Sequence, residues 1–557
     1  MAERQADSAY GWAACLCCVV AATLWVGPFA LRPDLFYDDV AHHVFWLYRY
    51  ADPTLFPGDI TIPYFRTSAP WGYRAIYAAL VPFTDALLAA KLLSLFPLAG
   101  SAFLAWHLGA ATATDFGSRG ARGLVAVAVL LILLPMSQQR DLLPPIAFQR
   151  AFALPLLLMT VWGLLSQRYA WVGISWLAAA LLYPVVLPVQ GLTAAAVFGR
   201  EFLTSRRLPR HWAFNAVAGA SALLIAAIAV PIPPEVGPPF SYEEAIRMPE
   251  FGPHGRLNLY AVNTVGLWLT GHRTGLGWSP WVLLLIVLAT TVVLALRAGR
   301  QIPYVAWTMA FVGCALWAAM RAFPEHLMFD LYLPNRHSRW AIGIFGMFVL
   351  CIAVALLLER WPGVPLATMA APPGAARRSS SGWIMLVPAI VAAALLPNAI
   401  RVWSQPVDHH REATYAFLGG LPSSTLIAAH PDLADFVPVR TQRSVLASTE
   451  VSMAWMKGYY AQMKPRVAAS LRAAYATSIE DMDAALEPYG VDVMLTGPMV
   501  WDERSYNAPF DGLFRELMAS GEREGFVLKN PPVDRILFRS GGYYVVRVGP
   551  CRQPNCQ

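Results

Sequence analysis

The sequence predicts a polytopic α-helical membrane protein with about eleven transmembrane helices, followed by a C-terminal α/β domain that stands outside the bilayer. Three observations carry this. Of the 557 residues, 57% are apolar and only 14% are charged, against about 25% charged in a soluble domain. The apolar residues fall in runs near the roughly 20 residues that a spanning helix needs. The charge is unevenly placed, at 21% of residues 404–557 but 11% of residues 1–403. A wholly soluble enzyme, a disordered chain and a disulfide scaffold are excluded on composition. The net excess of basic residues lies entirely in 1–403. It therefore speaks for membrane topology and against a nucleic-acid partner.

The spans follow in order. Residues 10–31 form the first, read as an uncleaved anchor because no small-residue cleavage site follows it. Further spans are expected near 84–108, 122–136, 151–166, 212–232, 278–296, 303–320, 340–358 and 383–401. Residues 171–198 are too long for one span and hold Pro184 and Pro188, so they read as two short helices that turn between the prolines. The connections 111–122, 167–170, 199–211, 297–302 and 360–382 carry 12 Lys and Arg in 58 residues. The alternate set, 32–74, 137–150, 233–277 and 321–339, carries 12 in 121 residues. The denser set is expected on the cytoplasmic side. That puts the N-terminus inside, and the long loops and C-terminal domain outside. Residues 361–382 read as a flexible linker.

In the C-terminal domain, Leu426–Ala429, Val437–Leu446 and Ile536–Val548 read as strands and Val491–Thr496 as a short apolar run. Ser452–Thr477, Ile479–Tyr489 and Phe510–Ser520 read as helical. The domain has no glycine-rich phosphate loop, no Cys/His metal spacing and no nucleophile elbow. Five of the seven cysteines lie in apolar runs as small packing residues. Cys551 and Cys556 lie in the tail, where an extracytoplasmic setting would let them pair.

The chemistry gathers in the loops. After the first span come Tyr37, Asp38 and Asp39, then His42, His43 and Trp46 in an aromatic amphipathic stretch. Helical spacing would set Asp38 beside His42 and Asp39 beside His43, each at i,i+4. One aspartate has the simple alternative of capping the following helix. Two carboxylates with two histidines exceed what capping needs. Loop 137–150 holds one carboxylate, Asp141, and ends in Arg150, which either works at a site or snorkels to the interface. Loop 321–339 ends in Arg336, His337 and Arg339. Arginine forks bind phosphate, so these residues and Arg150 are expected at a lipid phosphate or pyrophosphate. Lys91 lies inside the second span and has no assigned chemistry. Loop 233–277, with Glu243, Glu244, His254 and Arg256, is a candidate lid or acceptor surface.

This pattern resembles the GT-C superfamily of integral-membrane glycosyltransferases, which draw sugars from polyprenyl-phosphate carriers. The resemblance covers about 400 residues as architecture. It rests on the Asp38-Asp39 pair after the first span, the juxtamembrane stretch behind it and Asp141 in the second loop. It implies that Asp38 or Asp39 is the catalytic carboxylate and that Asp141 assists. A divalent metal is allowed but not required, with Asp39 and Asp141 as its carboxylates. Arg336, Arg339, His337 and Arg150 would hold the donor phosphate. His42 and His43 would orient the carboxylates, and Tyr37 and Trp46 would stack on sugar faces. The chain lacks the Asp-Glu pair of protein mannosyltransferases and the Trp-Trp-Asp motif of oligosaccharyltransferases, so the resemblance stops at the superfamily.

The expected reaction is an inverting transfer from a polyprenyl-phosphate sugar to a hydroxyl on a glycan, lipid or protein, at the outer face of a bacterial inner membrane. A departing lipid phosphate needs charge stabilisation and an attacking hydroxyl needs a base, which arginine and aspartate supply. Two alternatives are a transporter or flippase for lipid-linked sugars and a non-catalytic envelope assembly protein. A transporter would favour inverted repeats and polar residues at the bilayer midplane, whereas the charges here gather at the loop ends of the spans.

Overall fold

The computed structural model describes residues 2–111, 118–135, 142–228, 232–259, 273–276, 280–295, 302–328, 330–360, 381–503 and 505–549. It is mostly helical, with one small sheet near the C-terminus. Among the described residues, five helices are long and apolar enough to cross a membrane: Asp7–Leu31, Ala86–Ala111, Tyr304–Ala322, Pro334–Leu357 and Ile384–Trp403. Other expected spans are helices too, but shorter, such as Arg119–Ile132, Ala170–Leu182 and Trp212–Ala227. At 1.5 Å per residue they fall short of a roughly 30 Å hydrocarbon core.

Local chemistry explains the breaks. Asp85 caps the helix at 86 by accepting the Leu88 N–H at 2.9 Å. That helix pauses at Ser94, whose hydroxyl donates to the carbonyls of Lys91 and Pro145 at 2.6 and 3.1 Å. Ala170–Leu182 and Leu187–Ser205 are separate helices joined by the turn Pro184–Val186, as the two prolines predict. Lys91 is buried and donates to the Arg32 carbonyl at 2.8 Å, tying the second predicted span to the start of the first loop. Of the expected linker 361–382, residues 361–380 lie outside the described residues, as do Cys551 and Cys556, and its last two residues already belong to the helix Ser381–Trp403.

The C-terminal domain carries five strands: β1 (Leu426–Ala429), β2 (Ser444–Val445), β3 (Val493–Thr496), β4 (Ile536–Ser540) and β5 (Tyr543–Arg547). Their order is β2-β1-β3-β5-β4. The first three are mutually parallel, with Ile427 opposite Val445 on one side and Val493 on the other. The last two form an antiparallel hairpin on β3. The central strands β1 and β3 are almost wholly buried, as expected of strands covered on both faces.

Two expected strands are corrected: Ile536–Val548 is two strands, β4 and β5, with a turn at 541–542. Of Val437–Leu446, residues Val437–Thr441 are helical and only Ser444–Val445 pair in the sheet. Pro438 sits in the first turn, where its fixed φ suits a helix, and Gln442 at φ 56° ends it.

The loop at residues 232–259 does not float. Its backbone crosses the domain: Lys457 N–H donates to Pro238 O at 2.9 Å, Tyr459 N–H to Val236 O at 2.9 Å, and Phe240 N–H to Trp455 O at 3.1 Å. Gly237 makes this approach possible. Its φ is +69°, and a Cβ there would lie 2.8 Å from Gly458 N.

Candidate functional site

The first loop begins clamped. Arg32 pairs with Asp34 and donates to the carbonyls of Trp403 and Gln405 at 3.1 and 3.0 Å. Arg440 of the C-terminal domain bonds both Pro33 O and Glu412. The chain then turns through Asp38 and Asp39 into one helical turn, Val40–His43, and a 3-10 segment, Phe45–Tyr50. The expected amphipathic helix is therefore two short pieces. The close Asp/His contact is Asp39 Oδ1 to His42 Nε2 at 3.7 Å, an i,i+3 pair in place of the expected i,i+4 pairs. Asp39 occupies the N-cap position but makes no side-chain cap bond. Its carboxylate instead pairs with Arg150. Capping, the simple alternative, does not account for Asp39.

These groups line a cavity of about 1600 Å³ between the helical part and the C-terminal domain. Into it face Tyr37, Asp38, Asp39, His42 and His43 from the first loop, Arg150 from the head of the helix at 153, and Arg336 and Arg339 from the head of Pro334–Arg360. The far end of the first helix, the heads of two others and the Tyr183–Val185 turn thus meet at one end of the bundle.

Arg336 Nε and Nη1 are buried with no hydrogen-bond partner among the described residues. Its guanidinium also sits 5.6 Å from the Trp340 ring centroid. Arg150 rests over Phe148 at 4.8 Å, and Phe148 stacks on His43 at 5.7 Å. Arg336 and Arg339 are i,i+3 and share a helix face.

No family model matches the chain, and no curated protein matches it.

Several expectations are redirected by the packing. His337 lies about 100° round the helix from Arg336. It is fully buried, its Nε2 is 3.0 Å from Leu331 O, and it does not line the cavity. Trp46 is also away from the cavity. It is 3% exposed and packs edge-on to Tyr50 at 6.2 Å, so it has no face for a sugar. Tyr37 lines the cavity, though one ring face is taken by Phe29 at 5.1 Å. Asp141 lies outside the described residues.

The C-terminal domain, chemically silent as a sequence, supplies the opposite wall. Glu450 Oε2 lies 3.4 Å from His42 Nδ1 and 2.9 Å from Arg256 Nη2. The Glu450 N–H donates to Asp435 Oδ1 at 2.7 Å. Asp432 and Thr449 bond each other, and Thr449 meets Tyr506 at 3.2 Å. A fold-level signal existed. Asp432 follows β1, Thr449 and Glu450 follow β2, and Tyr506 follows β3, so all lie beyond the carboxyl ends of parallel strands. Ligands of open α/β sheets bind there.

The two adjacent aspartates are tuned apart. Burial, then the charges of Asp39 and Glu450, push the Asp38 carboxyl above its ordinary range. Burial also pushes Asp39 up, but Arg150, both histidines and Arg336 outweigh it and hold Asp39 well below the carboxylate range. Glu450 is lowered because His42 and Arg256 outweigh its burial. Burial, reinforced by His42, keeps His43 neutral far below the usual imidazole range. Asp38 makes no ion pair among the described residues. It accepts the Asp39 N–H at 3.0 Å and is otherwise turned to the cavity.

Proposed function

We propose that the chain is a membrane glycosyltransferase of the GT-C kind, taking a sugar from a polyprenyl-phosphate carrier to an acceptor hydroxyl. The observation that carries this is one cavity holding a raised carboxyl at Asp38, with no ion pair among the described residues, and a half-buried guanidinium at Arg336 whose buried Nε and Nη1 have no partner among them. A raised carboxyl is a stronger base, and unmet buried donors invite an anion. In this reading the acceptor oxygen attacks the anomeric carbon while Asp38 takes its proton. The bond from that carbon to the phosphate oxygen breaks, the electron pair leaves with the lipid phosphate, and Arg336 and Arg339 stabilise it. Asp39, fixed by Arg150 and His42, holds the loop and the local charge. The reading carries the finer topology with it: eleven spans, a cytoplasmic N-terminus and an extracytoplasmic C-terminal domain in a bacterial inner membrane.

Mass spectrometry of lipids copurified in mild detergent tests the donor half. Wild type should retain a polyprenyl phosphate or its sugar adduct, and Arg336→Ala/Arg339→Ala should lose it. Asp38→Asn should then cut transfer by about 10²–10⁴-fold, the usual contribution of a general base, with lipid retention unchanged. Equal bulk phospholipid in both proteins, or full transfer by Asp38→Asn, would sink the assignment.

A further inference from the structure

Asp39, His42 and His43 each offer a ligand atom within 4.8 Å of the other two. A tetrahedral ion with bonds near 2.0–2.1 Å needs its donors about 3.3 Å apart. Asp39 is also divided in a useful way. Oδ2 pairs with Arg150, while Oδ1 is the oxygen facing His42 Nε2 at 3.7 Å.

A second, independent feature points the same way. Glu450, from a different domain, stands behind His42 with Oε2 3.4 Å from Nδ1. Such a carboxylate, in ion-pair but not hydrogen-bond geometry here, is the kind of outer partner that orients a metal-ligating histidine with its near nitrogen toward the ion. The near nitrogen here is Nε2, the atom that faces Asp39. His42 itself is only 5% exposed, so a surface role does not explain it. The cluster lines the cavity, which gives an ion both an entry path and a coordination position open to ligand.

We propose that Asp39 Oδ1, His42 Nε2 and one ring nitrogen of His43 bind a Zn²⁺ ion, with Glu450 as the outer carboxylate and the fourth position facing the cavity. Two imidazoles and one carboxylate suit this borderline cation better than Mg²⁺ or Ca²⁺, which take oxygen ligands. The ligand set differs from the Asp39 and Asp141 carboxylate pair expected from sequence, since both nitrogen ligands come from the first loop. The binding test makes no use of sugar transfer, and an ion held here would itself lower the neighbouring Asp38 carboxyl.

The test uses full-length protein in detergent, stripped with chelator and titrated with Co²⁺ as the spectroscopic probe. The expected result is one equivalent bound, with the visible absorption of a low-coordinate ion, displaced by Zn²⁺. His43→Ala should abolish binding, and Glu450→Gln should weaken it about 10–100-fold, the usual loss when an outer-shell partner is removed. Wild-type protein should also be protected by Zn²⁺ against carbethoxylation at His42 and His43, mapped by peptide mass spectrometry; this needs no variant to fold. No stoichiometric uptake by wild type, unchanged binding in His43→Ala, or no protection of these two rings would overturn the proposal.

Discussion

Replacing Glu450 by glutamine keeps the side chain's shape and removes its charge. The residue joins the two halves of the molecule, with Arg256 at 2.9 Å and His42 at 3.4 Å. At an effective dielectric of about 20, two unit charges 2.9 Å apart attract by roughly 6 kcal/mol before desolvation. The two side chains are only 14% and 18% exposed, so desolvation cancels most of that, while residual solvent screens the rest. The expected net loss is about 1–2 kcal/mol. That corresponds to roughly 2–8 °C in the apparent unfolding temperature of a domain this size. Because folding lowers the Glu450 pKa, its contribution is full above the ordinary glutamate range and is lost as pH falls through the lowered folded value. The gap between variant and wild type should therefore be widest near neutral pH and close in acid. Differential scanning fluorimetry in detergent from pH 7.5 down to pH 2.5 reads both. A variant indistinguishable from wild type at pH 7.5, or a gap that widens in acid, would refute the reasoning.

Asp435→Asn should act with the opposite sign. Burial and then Glu450 push Asp435 well above its ordinary range, so wild type loses stability as pH rises through that value. Asparagine keeps the acceptor for the Glu450 N–H, and the variant should melt higher in alkaline buffer, with the difference vanishing in acid. Gly237→Ala forces an alanine to φ +69° against Gly458 N. That costs about 1–2 kcal/mol for the backbone alone and should raise protease cutting in loop 232–259. Trp46→Ala should destabilise by about 3–5 kcal/mol as a core deletion. Trp46→Phe should retain as much copurified lipid as wild type, and loss of lipid in that variant would return Trp46 to the site.

What the sequence could and could not say follows from the range of each interaction. Helices at the apolar runs, the break between Pro184 and Pro188 and the strand Leu426–Ala429 are local or periodic features and stand where periodicity places them, whereas the strand-like run Ile536–Val548 folds back as two strands. The pairing of Asp39 with Arg150 spans 111 residues and that of Glu450 with Arg256 spans 194. No local pattern encodes such contacts. His337 and Trp46 show the converse limit. Both carry the right chemistry at the right place in the chain, but helix rotation and a six-residue change to 3-10 geometry turn them into the packing.

The adjacent aspartates show why residue type alone cannot assign roles. As a dipeptide, Asp38 and Asp39 are equivalent. In the fold, the first makes no ion pair among the described residues and is pushed up, while the second is fixed by Arg150 and pushed down. Two like groups driven apart by their surroundings are the usual mark of divided labour between an acid–base group and a fixed charge. The division depends on both halves of the protein. Arg150 comes from the helical part, whereas Glu450 arrives from beyond the carboxyl end of β2. The charge of Glu450 helps raise Asp38, and its carboxylate anchors His42 beside Asp39. A helical part deprived of its C-terminal domain would keep both aspartates yet lose part of the difference between them. The domain is thus built into the site's electrostatics as well as into its wall.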